Sequence, residues 1–341
     1  MRTKIVQLSL FPEDTINQPR VTNVASVPKR SPFRYPGGKT WLVPTARNWF
    51  GQACDNSYLI EPFAGGGIIS LTAVAERFFQ RAIMVELDDD MASTWQTILS
   101  DDYKWLIEQI ASFQVDAEHI DNATQSASLG DKERAFSTIV RNRTNHGGIL
   151  AKGSGLIKSG ENGQGLSSRW YPNTLIRRIV EVNRLKDKIL FIHGDAFYII
   201  EQNLNDSNAF FFIDPPYTIA GRRLYNHFEI DHLRLFDLVS QIKGHFLLTY
   251  DNTPEVRHWA DKYSLPYVTI PMQTTHLVTK EELLISDNFD WYQNLISLSE
   301  FPKDLSQHVP SLTEKKSPLT PIYHPYVGSA TLVQAKREYD N

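Results

Sequence analysis

Five short apolar runs constrain the fold of this chain more than any other feature of its sequence. Each run ends at polar residues, and a helical pattern follows them. Runs of this kind are typical of strands that are buried on both faces of a parallel sheet. They are Tyr58–Ile60, Ala82–Val85, Ile189–Ile192, Ala209–Ile213 and His245–Thr249. Together they predict a doubly wound α/β fold, in which ligands bind at the carboxyl ends of the strands.

Two departures from this alternation are also informative. Two later segments, Tyr267–Thr275 and Glu282–Ser286, predict a closing antiparallel hairpin. About 90 residues separate the second run's helix from the third run, and loops of that length are uncommon, so residues 97–187 are predicted to form a separate subdomain. Between residues 131 and 188 there are 12 Lys and Arg against five Asp and Glu. This basic excess favours a face that meets nucleic-acid phosphate, and a solvated surface is the alternative.

Whole-chain composition excludes several classes of protein. The chain has 35 Lys and Arg against 39 Asp and Glu, and this net charge of −4 excludes a uniformly cationic binder of nucleic acid. Cys54 is the single cysteine, so the chain has neither a disulfide framework nor a Cys-based zinc site. Its apolar stretches are far shorter than the ~20 residues that span a bilayer. We therefore expect a cytoplasmic protein with no membrane partner.

A glycine-rich turn follows the first apolar run. The segment Glu61–Gly67 reads Glu-Pro-Phe-Ala-Gly-Gly-Gly and opens a helix. Glycines let the backbone turn sharply and approach a ligand closely, which suits a nucleotide-type cofactor. The spacing is not G-x-G-x-x-G, which disfavours a dinucleotide site. Glu86 ends the second run, where an acid hydrogen-bonds ribose hydroxyls in nucleotide-binding α/β folds.

The segment Asp214-Pro-Pro-Tyr217 comes directly after the fourth run. Its two prolines fix φ at about −65° and donate no N–H, so the turn presents its carbonyl oxygens rigidly. The Asp214 carboxylate and the Pro215 carbonyl form an acceptor pair for a planar NH₂ group, and Tyr217 supplies a ring on which a base can stack. An exocyclic amine on a heteroaromatic ring is a poor nucleophile because its lone pair is delocalised. Two acceptors favour tetrahedral geometry at the nitrogen and stabilise its developing positive charge.

A third segment, Arg34-Tyr-Pro-Gly-Gly-Lys39, precedes the first run, and its lysine is a candidate to neutralise a carboxylate. In their order along the chain, these segments resemble the Dam-type (alpha-group) DNA adenine N6-methyltransferases over about residues 30–290. The resemblance implies the fold of S-adenosylmethionine-dependent methyltransferases, a doubly wound, mostly parallel sheet with an inserted, mainly helical target-recognition subdomain. It also implies an enzyme that flips adenine out of double-stranded DNA and methylates its N6 by direct SN2 transfer, without a metal.

The same resemblance implies roles for individual residues. Tyr35 and Lys39 would contact the methionine end of S-adenosylmethionine, with Lys39 on its carboxylate. The rest of the implied cofactor site is Glu61, Phe63, Gly65, Gly67, Glu86 on the ribose, Asp195 near the adenine, and Asp214. The implied catalytic residues are Asp214, Pro215, Pro216 and Tyr217. In the insert we predict DNA contacts from Arg141, Arg143, Asn145, Lys152, Lys158 and Arg169.

Composition and the resemblance together divide the chain. Residues 1–28 would be a flexible leader, 29–96 and 188–297 the catalytic domain, 97–187 the target-recognition insert and 298–341 a C-terminal extension. Two alternative functions stay open. An acid before Pro-Pro-Tyr suits any exocyclic amine, so the chain could methylate adenine in RNA or cytosine N4 in DNA. It could also be a non-catalytic DNA-binding regulator that keeps the methyltransferase fold.

The leader contains a further candidate binding peptide. Gln7, Leu8, Leu10 and Phe11 lie in a pentapeptide similar to those by which bacterial proteins dock on the DNA polymerase sliding clamp. Two large apolar residues in a flexible tail can enter a hydrophobic pocket on binding, at a cost in ordering entropy. A chance match is the alternative. A cognate restriction enzyme in a restriction-modification system is another expected partner, in a bacterial or phage-infected cell.

Overall fold

The structure is a computed structural model that describes residues 26–34, 37–125, 130–151, 153–157, 159–160, 163–217, 229–273 and 279–292. Its strands are β1 (Tyr58–Glu61), β2 (Ala82–Glu86), β3 (Ile189–His193), β4 (Ala209–Ile213), β5 (His245–Asp251), β6 (Tyr267–Gln273) and β7 (Thr279–Ser286). They form a single seven-stranded sheet in the order β3-β2-β1-β4-β5-β7-β6.

The predicted fold class is confirmed. Strands β1 to β5 pair in parallel, and β7 enters antiparallel between β5 and β6. The predicted hairpin is therefore present, with β7 starting three residues earlier than predicted. The strand order reverses between β1 and β4, which opens a crevice at their carboxyl ends.

Helices cover both faces of this sheet. In the described part of the chain they are α1 (Val43–Phe50), α2 (Ile68–Ala75), α3 (Asp89–Leu99), α4 (Tyr103–Ser112), α5 (Ala117–Gln125), α6 (Asp131–Thr144), α7 (Pro172–Asn183), α8 (Ala196–Asn203), α9 (His232–Val239) and α10 (Pro254–Lys262). A 3₁₀ turn, Lys39–Leu42, precedes α1. No helix among the described ranges has the length and apolar character needed to cross a membrane.

Strand β4 shows why the sheet is buried on both sides. All five of its residues are buried. Phe210 and Phe212 enter the core cluster that contains Trp49 and Trp95. Phe211 belongs to a second cluster on the opposite face of the strand. Side chains alternate between the faces of a strand, so a continuous apolar run fits a sheet that helices cover on both faces.

Helices α4 to α7 come from the interval that was predicted as an insert, and α6 packs along α3. The buried Asn142 of α6 joins this region to the segment before Lys39. Its Oδ1 accepts the Arg34 N–H at 2.9 Å, and its Nδ2 donates to the carbonyls of Arg34 at 2.8 Å and Gly148 at 3.0 Å. A single side chain therefore fixes the backbone of two other segments.

Candidate active site

A cavity of about 550 Å³ opens at the carboxyl edge of the sheet, beside the ends of β1, β2 and β4. Ligands bind at this edge in doubly wound folds. Seven of the described residues that line the cavity are acidic and two are basic: Glu61, Glu86, Asp88, Asp195, Asp214, Glu229 and Asp231 against Lys39 and Arg234. This lining favours a ligand that carries positive charge over one that carries phosphates.

The glycine-rich turn forms one wall of the cavity. Gly65 and Gly67 have φ of 46° and 61°, in the left-handed region that favours glycine. A Cβ on Gly67 would lie only 2.5 Å from the Met84 side chain and 3.0 Å from the ring of Trp95. The Trp95 indole N–H donates to the Gly65 carbonyl at 2.9 Å and so fixes the position of the turn. The position of Gly67 therefore needs glycine for both its conformation and its packing.

Glu86 ties this turn to the end of β2. Its Oε2 accepts the Gly65 N–H at 3.0 Å, and its Oε1 accepts the N–H groups of Leu87 and Asp88, each at 3.0 Å. Burial raises the pKa of Glu86 to about 7, although these backbone donors favour the ionised form. A carboxylate offers about four acceptor sites, so Glu86 can still accept from a ligand hydroxyl.

Glu61 ends β1 in a buried position under the cavity. Its Oε2 accepts the Ser70 N–H of α2 at 2.9 Å. Burial raises the pKa of Glu61 to about 8, against the effect of Ser70 and with a further contribution from the nearby Asp214. Glu61 is therefore a carboxyl group that changes charge near neutral pH.

Asp214 is held through one of its two oxygens. Its Oδ1 accepts the Thr249 hydroxyl at 2.7 Å and lies 2.9 Å from the Lys39 ammonium. Its Oδ2 accepts no hydrogen bond from the residues that the structure describes. Lys39 is buried, which opposes its charged form, but the carboxylates of Asp214 and Glu282 outweigh burial and raise the pKa of Lys39. Lys39 is therefore an ammonium group that faces two carboxylates.

Tyr217 connects this group to β7. Its hydroxyl donates to Glu282 Oε2 at 3.1 Å, and its ring stacks on Tyr250 with centroids 5.7 Å apart. The Lys39 ammonium lies 4.9 Å from the centre of the Tyr217 ring. Burial, followed by the charges of Asp214 and Glu282, raises the pKa of Tyr217 well above its ordinary value. The hydroxyl therefore keeps its proton and fixes the ring.

The structure brings most of the predicted cofactor and catalytic residues together. Residues that line the one cavity are Lys39, Glu61, Phe63, Gly65, Gly67, Glu86, Asp195, Asp214 and Pro216. Asp195 is exposed and caps α8 by accepting the Tyr198 N–H at 3.1 Å. Pro215 is buried and is not among the residues that line the cavity. Tyr35 lies outside the described residues, and its role stays a prediction.

Several predicted DNA-contact residues have partners inside the protein. Arg141 pairs with Asp90 at 2.7 Å, and the Nδ2 of Asn145 donates to the Ile149 carbonyl at 2.9 Å. Arg143 is buried, and its guanidinium donates to the Pro32 carbonyl. Arg169 is partly exposed. Lys152 and Lys158 lie outside the described residues, as do the predicted clamp residues Gln7, Leu8, Leu10 and Phe11.

Arg143 belongs to an arginine cluster that we define as Arg34, Arg143, Arg169 and Arg178. Burial, followed by the charges of the other three arginines, lowers the pKa of Arg143 to about 9. Like charges held this close create a strong positive potential at the surface where the cluster's partly exposed members lie. The members of this cluster come from α6, α7, the 3₁₀ turn Gly165–Arg169 and the segment before Lys39.

Sequence reasoning missed Thr249 and Glu282. Thr249 lies in β5 and Glu282 in β7, and each points at a residue from a distant segment. The alternation of Glu281 and Glu282 along a strand predicts that one of them faces inward. It does not predict which one, because that depends on the register of β7. No group of three or more His, Cys, Asp or Glu in the described ranges could hold a metal ion.

Comparison with known proteins identifies the family. Solved structures that align with this chain include one described as a "putative RNA methyltransferase" from Pyrococcus horikoshii, with 13% identity, coverage of 74% of this chain and 84% of that one, and a TM-score of 0.34. Another is a "putative methylase" from Haemophilus influenzae, with 11% identity, coverage of 72% and 88%, and a TM-score of 0.30. TM-scores this low support no conclusion about fold or function. No curated protein matches the chain. The model of the D12 class N6 adenine-specific DNA methyltransferases matches residues 35–272, and the chain belongs to this family.

Proposed function

We propose that this chain is a site-specific DNA methyltransferase that transfers a methyl group from S-adenosylmethionine to N6 of adenine in double-stranded DNA. The main observation behind this proposal is the set of partners that the two Asp214 oxygens have. One of its oxygens is fixed by Lys39 and Thr249, and the other accepts from none of the described residues at the edge of the acidic cavity. An acceptor held this way suits an amine that arrives from outside the protein.

The cavity fits S-adenosylmethionine in charge and in shape. The acidic lining complements the sulfonium and amino groups of this cofactor, and the glycine-rich turn leaves room for close approach to the backbone. Glu86 would accept the ribose hydroxyls, while Phe63 and Gly65 would border the cofactor. Asp195 would lie near its adenine ring. When bound, the cofactor supplies the electrophilic methyl group.

The residues around Asp214 would prepare the target amine for attack. Asp214 Oδ2 and the Pro215 carbonyl would each accept one hydrogen of the adenine NH₂ group, which turns the nitrogen lone pair toward the methyl group. The same oxygens stabilise the positive charge that develops on the nitrogen. Tyr217 would pack against the adenine ring once the nucleotide has left the duplex. Its hydroxyl bond to Glu282 keeps the ring in place before DNA arrives.

DNA phosphate is the natural partner of the arginine cluster. Arg34 and Arg178 are partly exposed and carry charge next to a buried third arginine. Phosphate contacts relieve the repulsion among these cations and place the duplex over the catalytic cavity, because Arg34 is only five residues from Lys39. The other predicted contacts in the insert would then add to this electrostatic surface.

A nucleoside assay tests the proposed function. Purified protein is incubated with S-adenosylmethionine and unmethylated DNA, and the digested nucleosides are identified by mass spectrometry. We expect N6-methyl-2′-deoxyadenosine from the wild type and at least ~10²-fold less from Asp214→Ala, because the variant loses an acceptor that acts on developing charge. The control is Asp101→Ala, which removes an exposed carboxylate paired only with Lys186 among the contacts described. N4-methylcytosine as the product, or cofactor binding with no product, would contradict the proposal.

A further inference from the structure

Glu282 is a buried carboxyl group that touches neither the cofactor nor the target base in the proposed reaction. It lies on β7, opposite Asp251 of β5. Its neighbour Glu281 points to the other face of the strand, is exposed, and accepts the Asn252 amide at 3.0 Å. Two adjacent glutamates therefore differ in environment, because successive side chains of a strand face opposite ways.

Glu282 contacts two members of the site at once. Its Oε2 accepts the Tyr217 hydroxyl at 3.1 Å and lies 3.8 Å from the Lys39 ammonium. The same ammonium is 2.9 Å from Asp214 Oδ1. Lys39 therefore lies between two carboxylates, one at the end of β4 and one on β7.

The second carboxylate matters because Lys39 is buried. Only 4% of its side chain is exposed, so water cannot solvate the ammonium if its partner is lost. Removing one member of a buried ion pair is costly because the remaining charge stays unpaired. When Asp214 also accepts a hydrogen bond from the target amine, Glu282 still pairs with the Lys39 ammonium.

Glu282 also changes the charge of the site. Asp214 and Lys39 together are neutral, so the ammonium offsets part of the stabilisation that Asp214 gives to a cation formed beside it. A second carboxylate makes two acidic groups against one ammonium. The target nitrogen becomes positive as its bond to the methyl carbon forms and the carbon–sulfur bond breaks, and it then loses a proton to water. An extra negative charge near that nitrogen favours this step.

We propose that Glu282 is a positioning residue for methyl transfer, which holds the Lys39 ammonium and the Tyr217 hydroxyl from the β7 side so that Asp214 is available to the target amine. This inference rests on the proposed function. Glu282 acts through Lys39, Tyr217 and Asp214, and it lies outside the cavity lining where the cofactor would bind. Lys39 keeps Asp214 as its closer partner when Glu282 is replaced, so we expect the rate of transfer to fall and cofactor binding to stay close to that of the wild type.

The test compares Glu282→Gln with Glu281→Gln. Both substitutions remove one negative charge from adjacent positions of β7, but only Glu282 faces the site. Single-turnover methylation is measured at saturating DNA and S-adenosylmethionine, and the cofactor Kd is measured by calorimetry. We expect Glu282→Gln to slow transfer at least tenfold, with its cofactor Kd and its KM for DNA within twofold of the wild type. Glu281→Gln should transfer at the wild-type rate within twofold.

Two results of this comparison would overturn the inference. One is an equal transfer rate for the two variants, and the other is a loss of rate that weaker cofactor binding explains. If Glu282→Gln does not fold, Tyr217→Phe replaces it, since this variant removes only the hydroxyl that Glu282 holds. A Tyr217→Phe rate equal to the wild type would then overturn the inference. A wild type that methylates no adenine would overturn the proposed function and this inference with it, whereas an active wild type confines any failure to Glu282.

Discussion

Glu61 and Glu86, two carboxyl groups beside the cavity, hold their protons to a much higher pH than ordinary glutamates. Burial raises the pKa of Glu61 to about 8 and that of Glu86 to about 7. Both residues also accept backbone N–H groups, Glu61 from α2 and Glu86 from the glycine-rich turn. A positively charged cofactor would favour their ionised forms. Binding of such a cofactor would therefore release protons from these residues.

A pH series on the ligand-free protein tests the raised pKa of Glu61. In the unfolded chain the pKa of Glu61 returns to about 4.5, so the folded state binds more protons between about pH 4.5 and 8. The stabilisation that Glu61 provides is fully present below pH 4.5 and is lost as pH rises through 8. We expect the free energy of unfolding to fall more steeply from pH 5 to 8.5 in the wild type than in Glu61→Gln, measured by chemical denaturation. Parallel curves would show that Glu61 does not titrate as described.

At the scale of secondary structure, side chains of α6 and α7 bind the backbone of residues 31–34. Asn142 of α6 binds both the N–H and the carbonyl of Arg34. Arg143 and Arg178 donate to the carbonyls of Pro32 and Ser31. The segment held by these bonds leads directly to Lys39 in the site. A change in the position of α6 would therefore move the backbone of Arg34, five residues before Lys39.

Asn142→Ala tests how much this junction contributes to stability. The substitution removes three hydrogen bonds and leaves the Arg34 N–H and two carbonyls without their partner. At about 1 kcal/mol for each bond, we expect the free energy of unfolding to fall by about 2–4 kcal/mol in urea denaturation. The control is Asn48→Ala, which removes one exposed bond to the Pro44 carbonyl and should change stability by less than about 0.5 kcal/mol. Equal effects of the two variants would contradict the role of Asn142.

The elements of this fold could be predicted from local sequence more fully than the contacts of the site. Apolar runs predicted all five parallel strands, because burial on both faces leaves a continuous apolar pattern. The position of Asp214 at a strand end followed from the same runs. The partners of Lys39 did not, because Asp214 and Glu282 come from distant segments that only the strand order brings together. A count of basic residues also does not predict which side chains point outward. The side chain of Arg143 turns inward to the Pro32 carbonyl.

For the whole molecule, charge is distributed unevenly around a net value of −4. The cavity lining is acidic, whereas the arginine cluster concentrates positive charge near the segment that leads to Lys39. This separation suits two ligands of opposite charge, a cationic cofactor in the cavity and an anionic duplex outside it. Net charge alone would have hidden this arrangement.

Arg178→Ala tests the proposed DNA surface. If Arg178 neutralises a DNA phosphate, its loss should weaken binding similarly for all sequences and lower the slope of log K against log salt by about 1. The measurement is a fluorescence titration of a labelled duplex between low and moderate salt. Lys243→Ala is the matched control, because it removes an exposed positive charge near the amino end of β5, away from the cavity. An unchanged slope in Arg178→Ala would exclude a phosphate contact at this residue.

Methylation-aware sequencing of DNA from cells that express this chain tests most directly whether Asp214 directs adenine methylation. Cells that express Asp214→Ala provide the background. The proposed function predicts N6-methyladenine at one short sequence motif across the genome with the wild type, and none above background with the variant. A genome that stays unmodified while soluble wild-type protein binds S-adenosylmethionine would contradict it, as would equal methylation by the variant.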